Sequence, residues 1–131
     1  MESIAMYDIN QDLDYFTKEE FACQHTGENE IKDTFLLKLD LLRARCGFPF
    51  VITSGYRSPE HPIESRKGKE KAGTHAQGIA ADIKVSTSQQ RYTLVEEAIK
   101  MGFGGIGIHS VFVHIDMRSV DGNAKPVMWL Y

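Results

Sequence analysis

Apolar positions first settle into a repeating order at Phe16. Thr17 can cap a short helix whose third residue is Glu20, while Phe16 and Phe21 stand at the two positions of a hydrophobic staple, so a helix is expected near residues 18–23. The ten or so residues before it carry no sustained periodicity, and residues 1–14 read as a peripheral extension. Over residues 30–46, Ile31, Phe35, Leu39, Leu42 and Cys46 recur every three or four positions, the period of one buried helix face. Gly47 offers a left-handed stop, Phe48 can cover the final turn, and Pro49 opposes continuation. The FVITS segment, residues 50–54, reads as a buried strand running into Gly55.

Residues 58–74 hold Pro59, Pro62, Gly68 and Gly73 among many charges, too many turn formers for a core element, and read as a mobile rim or partial lid. Residues 80–85 follow as a short strand with Asp82 and Lys84 on one face and Ile83 and Val85 on the other. Thr87 and Gln90 resemble a second capping box, opening a helix that runs to Met101 and presents Leu94, Val95, Ala98 and Ile99. Gly102 ends it, so both main helices close on Gly-Phe. Residues 106–117 hold two strand-like pieces around His109 and Ser110; in the second, Val113, Ile115 and Met117 alternate with His114 and Asp116. The apolar tail at 126–131 is a candidate for the last strand. The order of elements predicts an α+β domain, a small, mainly antiparallel sheet with helices packed on one side.

Composition narrows the function. A chain of 131 residues suits a single domain spanning residues 1–131, and 42% hydrophobic with 25% charged residues describes an ordinary packed protein. With 15 Lys plus Arg against 18 Asp plus Glu, the net charge is −3 and there is no dominant basic stripe, so no nucleic acid is expected as a main partner. No segment approaches the roughly 20 apolar residues that cross a bilayer, so no membrane insertion is expected. The amino terminus shows neither a basic leader nor an apolar export core, which predicts cytoplasmic synthesis without a signal peptide. The two cysteines, Cys23 and Cys46, are expected to be reduced, and the protein to be a monomer.

The candidate chemistry centres on three side chains. His75 stands seven residues before Asp82, and His114 follows on the later strand. Taken singly, each has an ordinary reading: a loop histidine bonded to backbone, a solvated strand-start carboxylate, a partly buried strand histidine. Together, two neutral imidazoles and one carboxylate give zinc three donors and leave a fourth position for water. Gly78 permits a tight return near them, and Ala80 and Ala81 leave the approach uncrowded. Spacing alone leaves both readings open. Asp116, two residues beyond His114 and about 6.5 Å along an extended strand, is either the base for the attacking water, a group holding an imidazole in its tautomer, or half of a structural ion pair. His109 is the reserve base. Arg57 offers a planar fork for a peptide carboxylate or a developing oxyanion, against the alternative of an ion pair tying the loop to the sheet. Ser54, Tyr56, His61 and Gln77 are further substrate-contact candidates, with core packing as the alternative for Tyr56 and loop hydrogen bonds for His61 and Gln77.

Four segments carry a family resemblance: TSGYRSPEH at 53–61, THAQGIAADI at 74–83, GFGGIGI at 102–108 and FVHIDMR at 112–118. With YFTKEEFAC and FPFVITSGYR upstream, the chain resembles the zinc D-alanyl-D-alanine carboxypeptidase family, including its small phage and bacterial members, in the fold group that also holds the hedgehog signalling domain. The resemblance implies one Zn2+ ion held by His75, Asp82 and His114, with Arg57 of SGYR nearby. It implies hydrolysis of a peptide bond in peptidoglycan stem or cross-link peptides, as carboxypeptidase or endopeptidase, in a phage-associated or externally delivered lysis enzyme. Val111 stands where several relatives carry a glutamate three residues before the last ligand, Phe112 where others carry a histidine, and Pro62 where an asparagine often follows the residue matching His61. These departures put the base in doubt and keep open a noncatalytic, zinc-stabilised phage structural or wall-binding protein, as well as hydrolysis of another amide or ester.

Overall fold

Phe16 and Phe21 meet edge to face with ring centroids 5.4 Å apart, and the Glu20 carboxylate accepts the Thr17 N–H at 2.8 Å. These contacts appear in a computed structural model that describes residues 8–61, 63, 73–118 and 125–131. The turn they frame is shorter than expected, a 3-10 segment at Lys18–Phe21, because Ala22 is already extended and the Cys23 N–H turns to the Glu28 carbonyl. A second 3-10 segment, Ile9–Gln11, precedes it. Ile9, Leu13 and Phe16 are buried in the core, and the Asp40 carboxylate pins this stretch by accepting the N–H groups of Asp14 and Tyr15 at 3.0 and 2.9 Å.

Helix α1 spans Asp33–Cys46, three residues later than its periodicity suggests. Lys32 donates its N–H to the Gly78 carbonyl at 2.8 Å, which holds the chain before Asp33 extended. Gly47 closes the helix by donating to the Arg43 carbonyl. Strands β1 (Ile52–Ser54) and β2 (Ala80–Lys84) follow, then α2 (Ser88–Lys100), β3 (Gly105–Ile108), β4 (Phe112–Asp116) and β5 (Val127–Leu130). At the start of α2, Thr87 Oγ1 accepts the Gln90 N–H, while the Gln90 side chain reaches back one residue further than in a capping box, to the Ser86 N–H. The buried face of α2 is narrower than expected: Leu94 and Ala98 are buried, whereas Ile99 is 56% exposed.

The sheet order is β1-β2-β4-β3-β5, with the first three pairings antiparallel and β3 parallel to β5, so the sheet is mixed. On one face Ala81, Ile83, Ile106, Val113 and Ile115 join Phe35, Leu36, Leu39, Leu42, Leu94 and Ala98 of the two helices in one apolar core. The opposite face carries Asp82, His114 and Asp116. This is a small α+β domain with helices packed against a mixed sheet. One expectation is corrected: β1 is an edge strand, not a buried one, with Thr53 exposed and Val51 56% exposed. A register irregularity between Ile52 and Ser54 pairs Ile52 with Ile83 and Ser54 with Asp82, so β1 contributes one side chain to each face. The expected rim at 58–74 falls largely on residues 62 and 64–72, and the start of the peripheral extension on residues 1–7, all outside the described residues. Both cysteines are free thiols, and no helix among the described residues is long and apolar enough to cross a membrane.

Candidate metal centre and its cleft

Asp82 and His114 are directly paired across β2 and β4, which puts both side chains on the same face of the sheet. His75 arrives from the turn before β2, where Gly78 adopts φ +77 and any Cβ there would collide with the Glu30 carbonyl. That close approach explains why a residue without a side chain occupies the turn. His75 Nε2 and His114 Nδ1 lie 3.2 and 3.0 Å from Asp82 Oδ1, and 3.2 Å from each other. One ligand atom from each of the three residues falls within 4.8 Å of the others, and all three residues are buried. Two nitrogens and a carboxylate oxygen converging on one point form a donor set suited to a divalent transition metal.

Each imidazole is aimed by its other nitrogen. His75 Nδ1 donates to the Gly55 carbonyl at 2.7 Å, leaving Nε2 for the centre. His114 Nε2 donates to Asp116 Oδ2 at 2.7 Å, leaving Nδ1. Asp116 is fully buried and its oxygens are also held by Arg118, through Nη2 at 2.7 Å, Nε at 3.0 Å and the backbone N–H at 2.9 Å. Space for this assembly comes from β3. Gly105 pairs with Asp116 and Gly107 with His114, and a Cβ at Gly105 would collide with both Asp116 oxygens and with Arg118 Nε. The alternating glycines of GFGGIGI therefore leave β3 without side chains on the face where its neighbour carries the ligand and its partner.

Electrostatics match the geometry. Burial opposes ionisation of Asp82, but hydrogen bonds to His114 and His75 overcome it and hold the carboxyl well below the usual range. Burial likewise opposes ionisation of Asp116, and there His114 and Arg118 prevail. For His114, burial disfavours the charged ring, yet its hydrogen bonds to Asp116 and Asp82 raise its pKa above the ordinary value of 6.5. Below that raised pKa the metal-free His114 ring carries a proton on the nitrogen a metal would use, and metal binding competes with it. Metal affinity is accordingly expected to rise about tenfold per pH unit below the raised pKa of His114 and to level off above it, a slope that zinc competition titrations at a series of pH values would measure.

The three ligands open into a cleft of about 830 Å³. Arg57 lines it, with Nε donating to Ser54 Oγ at 3.2 Å and Nη2 3.5 Å from Asp82 Oδ2. Ser54, His61 and His109 line it as well; the His61 and His109 Nδ1 atoms accept the N–H groups of Ile63 and Val111. Tyr56 does not. Its side chain belongs to the apolar core and its backbone N–H bonds the Phe21 carbonyl, so of the two readings of that tyrosine the packing one holds. Gln77 is exposed on the turn and is not among the lining residues. Sequence reasoning missed Arg118, Trp129 and Tyr131, which also line the cleft. Their signal was alternation: Arg118 continues the 112, 114, 116 face of β4, and Trp129 and Tyr131 share one face of the tail.

With the geometry in place, the sequence can be set beside known families. A model of the family described as peptidase M15 matches residues 14–116. The chain belongs to the peptidase M15 family. Among curated proteins, none matches it. Family membership and the His75, Asp82 and His114 cluster together support a metal-dependent hydrolase of peptidoglycan-like substrates. The M15 match ends with β4, so β5, with Trp129, and the Tyr131 that follows it lie beyond the matched residues.

Proposed function

We propose that this chain is a zinc peptidase that hydrolyses a peptide bond in the stem or cross-link peptides of peptidoglycan, as a carboxypeptidase or an endopeptidase. The observation that carries this reading is the convergence of two oriented imidazoles and a carboxylate at a cleft flanked by Arg57. Zinc bound there would supply Lewis-acid chemistry, acidifying a water and polarising a carbonyl. His75 and His114 serve as neutral donors because Gly55 and Asp116 fix their tautomers. Arg57, steadied by Ser54, receives a substrate carboxylate or the carbonyl oxygen as it gains charge.

Asp116 is assigned to positioning His114 rather than to proton abstraction, since both its oxygens are engaged and it does not line the cleft. His109, which lines the same cleft, is assigned to proton exchange with the leaving amine. Asp116→Asn is expected to weaken zinc binding about 10–100-fold. A base would instead leave zinc affinity intact and lower kcat by about 10²–10⁴-fold, so zinc competition run beside peptide release separates the two roles.

The reading is tested by incubating metal-free and zinc-reconstituted protein with purified peptidoglycan and weighing the released fragments by mass spectrometry. Free D-alanine identifies a carboxypeptidase and internal fragments an endopeptidase. Stoichiometric zinc with no fragment released would replace the peptidase with a wall-binding protein.

A further inference from the structure

One flank of the cleft is built differently from the rest. Arg57 and Ser54 stand on the β1 side of the metal ligands, and β5 forms the opposite edge of the sheet. From β5, Trp129 leans across β3, where Gly107 leaves room: a Cβ there would lie 2.7 Å from the indole Cε2 and Nε1 and 2.8 Å from the Tyr131 ring. The Trp129 ring comes to rest 5.1 Å from that of His114. Tyr131 follows, 6.3 Å from Trp129 and 5.2 Å from Phe112, and His109 stacks on Phe112 at 4.4 Å with the planes 12° apart. Four rings thus form one connected wall beginning at a metal ligand, and all four line the cleft. Tyr131 is 62% exposed, so the wall is not closed off as core. Arg118, which lies over the Trp129 ring at 4.8 Å, adds guanidinium donors beside it.

We infer that this aromatic wall, on the β5 side of the metal ligands, is a subsite for an N-acetylated pyranose ring of the glycan. The inference rests on the peptidoglycan reading and deepens it. Stem peptides built of alanine, glutamate and a diamino acid offer no broad apolar face to a row of rings. The sugar does: the axial C–H groups of a pyranose and its acetamido methyl pack against the electron-rich face of an aromatic ring, while its hydroxyls meet donors at the rim. The Arg118 guanidinium supplies such donors.

Trp129 is the single tryptophan of the chain, which makes it a direct probe. The full-length protein is titrated with a β-1,4-linked tetramer of N-acetylglucosamine, a ligand with no peptide to cleave, while Trp129 emission and, in parallel, the heat of binding are recorded. A saturable response is expected, weakened about tenfold by Tyr131→Ala, the loss of one aromatic contact, and restored by Tyr131→Phe. Thermal unfolding of each variant confirms that it is folded. No emission change and no heat at millimolar tetramer would overturn the subsite, as would binding of equal strength in Tyr131→Ala. Since the titration involves no cleavage, tetramer binding without peptide release would count against the peptidase reading alone, and peptide release without tetramer binding against the subsite alone.

Discussion

Replacing His114 with alanine is expected to lower zinc affinity about 300-fold, taking one donor of three as roughly a third of a binding free energy of about 10 kcal/mol, and to abolish peptide release. His114 is the most informative of the three ligands because it belongs to two assemblies at once. Its Nδ1 faces Asp82 and His75, while its Nε2 connects the metal centre to the Asp116 and Arg118 pair. The alanine variant therefore removes a donor and severs the orienting chain together, whereas Asp116→Asn disturbs only the second. Ranking the zinc affinities as wild type, Asp116→Asn, His114→Ala from tightest to weakest checks the account; equal affinity in wild type and His114→Ala would place the metal elsewhere.

Gly105→Ala should be the most damaging single-carbon change in the sheet. The new Cβ would fall on both oxygens of Asp116 and on Arg118 Nε, and it projects from a strand held on both sides, by β4 and by β5. Neither neighbour yields cheaply: Asp116 is fully buried and fixed by four hydrogen bonds from Arg118 together with one from His114. Breaking a buried pair of this kind costs about 3–5 kcal/mol, and a fall in Tm of about 10 °C or more is expected for a chain of this size. Gly107→Ala meets the Trp129 and Tyr131 rings instead. Tyr131 is mostly exposed and can swing outward, so a smaller fall in Tm is expected there. Thermal unfolding of the two metal-free variants side by side would detect the difference, and equal losses would show that the Asp116 assembly is not what Gly105 protects.

Much of this architecture was legible from periodicity. The staple at Phe16 and Phe21, both Gly-Phe helix ends, the alternation through His114 and Asp116 and the final strand all rest on local chemistry, which a sequence carries directly. What failed depended on neighbours. Residues 50–54 look like a buried strand, but burial is decided by how many strands flank them, and β1 lies at an edge with an irregular register. Residues 30–32 fit the helical period, yet Lys32 is extended, and its N–H ties that stretch to the Gly78 carbonyl of the turn before β2. The metal cluster sits between these cases. No spacing rule links a loop histidine at 75 to strand residues 82 and 114; the cross-strand pairing of Asp82 with His114 brings them together, and only the combined family pattern signalled it. The Asp116 and Arg118 pairing and the wall at Trp129 and Tyr131 left only alternation as a signal, since GFGGIGI gives no hint that its glycines make room for side chains from other strands.

The central claim, that these three side chains form one metal centre, is tested most directly by diffraction at the zinc absorption edge from crystals grown with stoichiometric zinc. The account predicts a single anomalous peak about 2.0–2.2 Å from His75 Nε2, an oxygen of Asp82 and His114 Nδ1, with His114 Nε2 still on Asp116. A peak at any other place, or a zinc ion bound without one of those three residues, would contradict it.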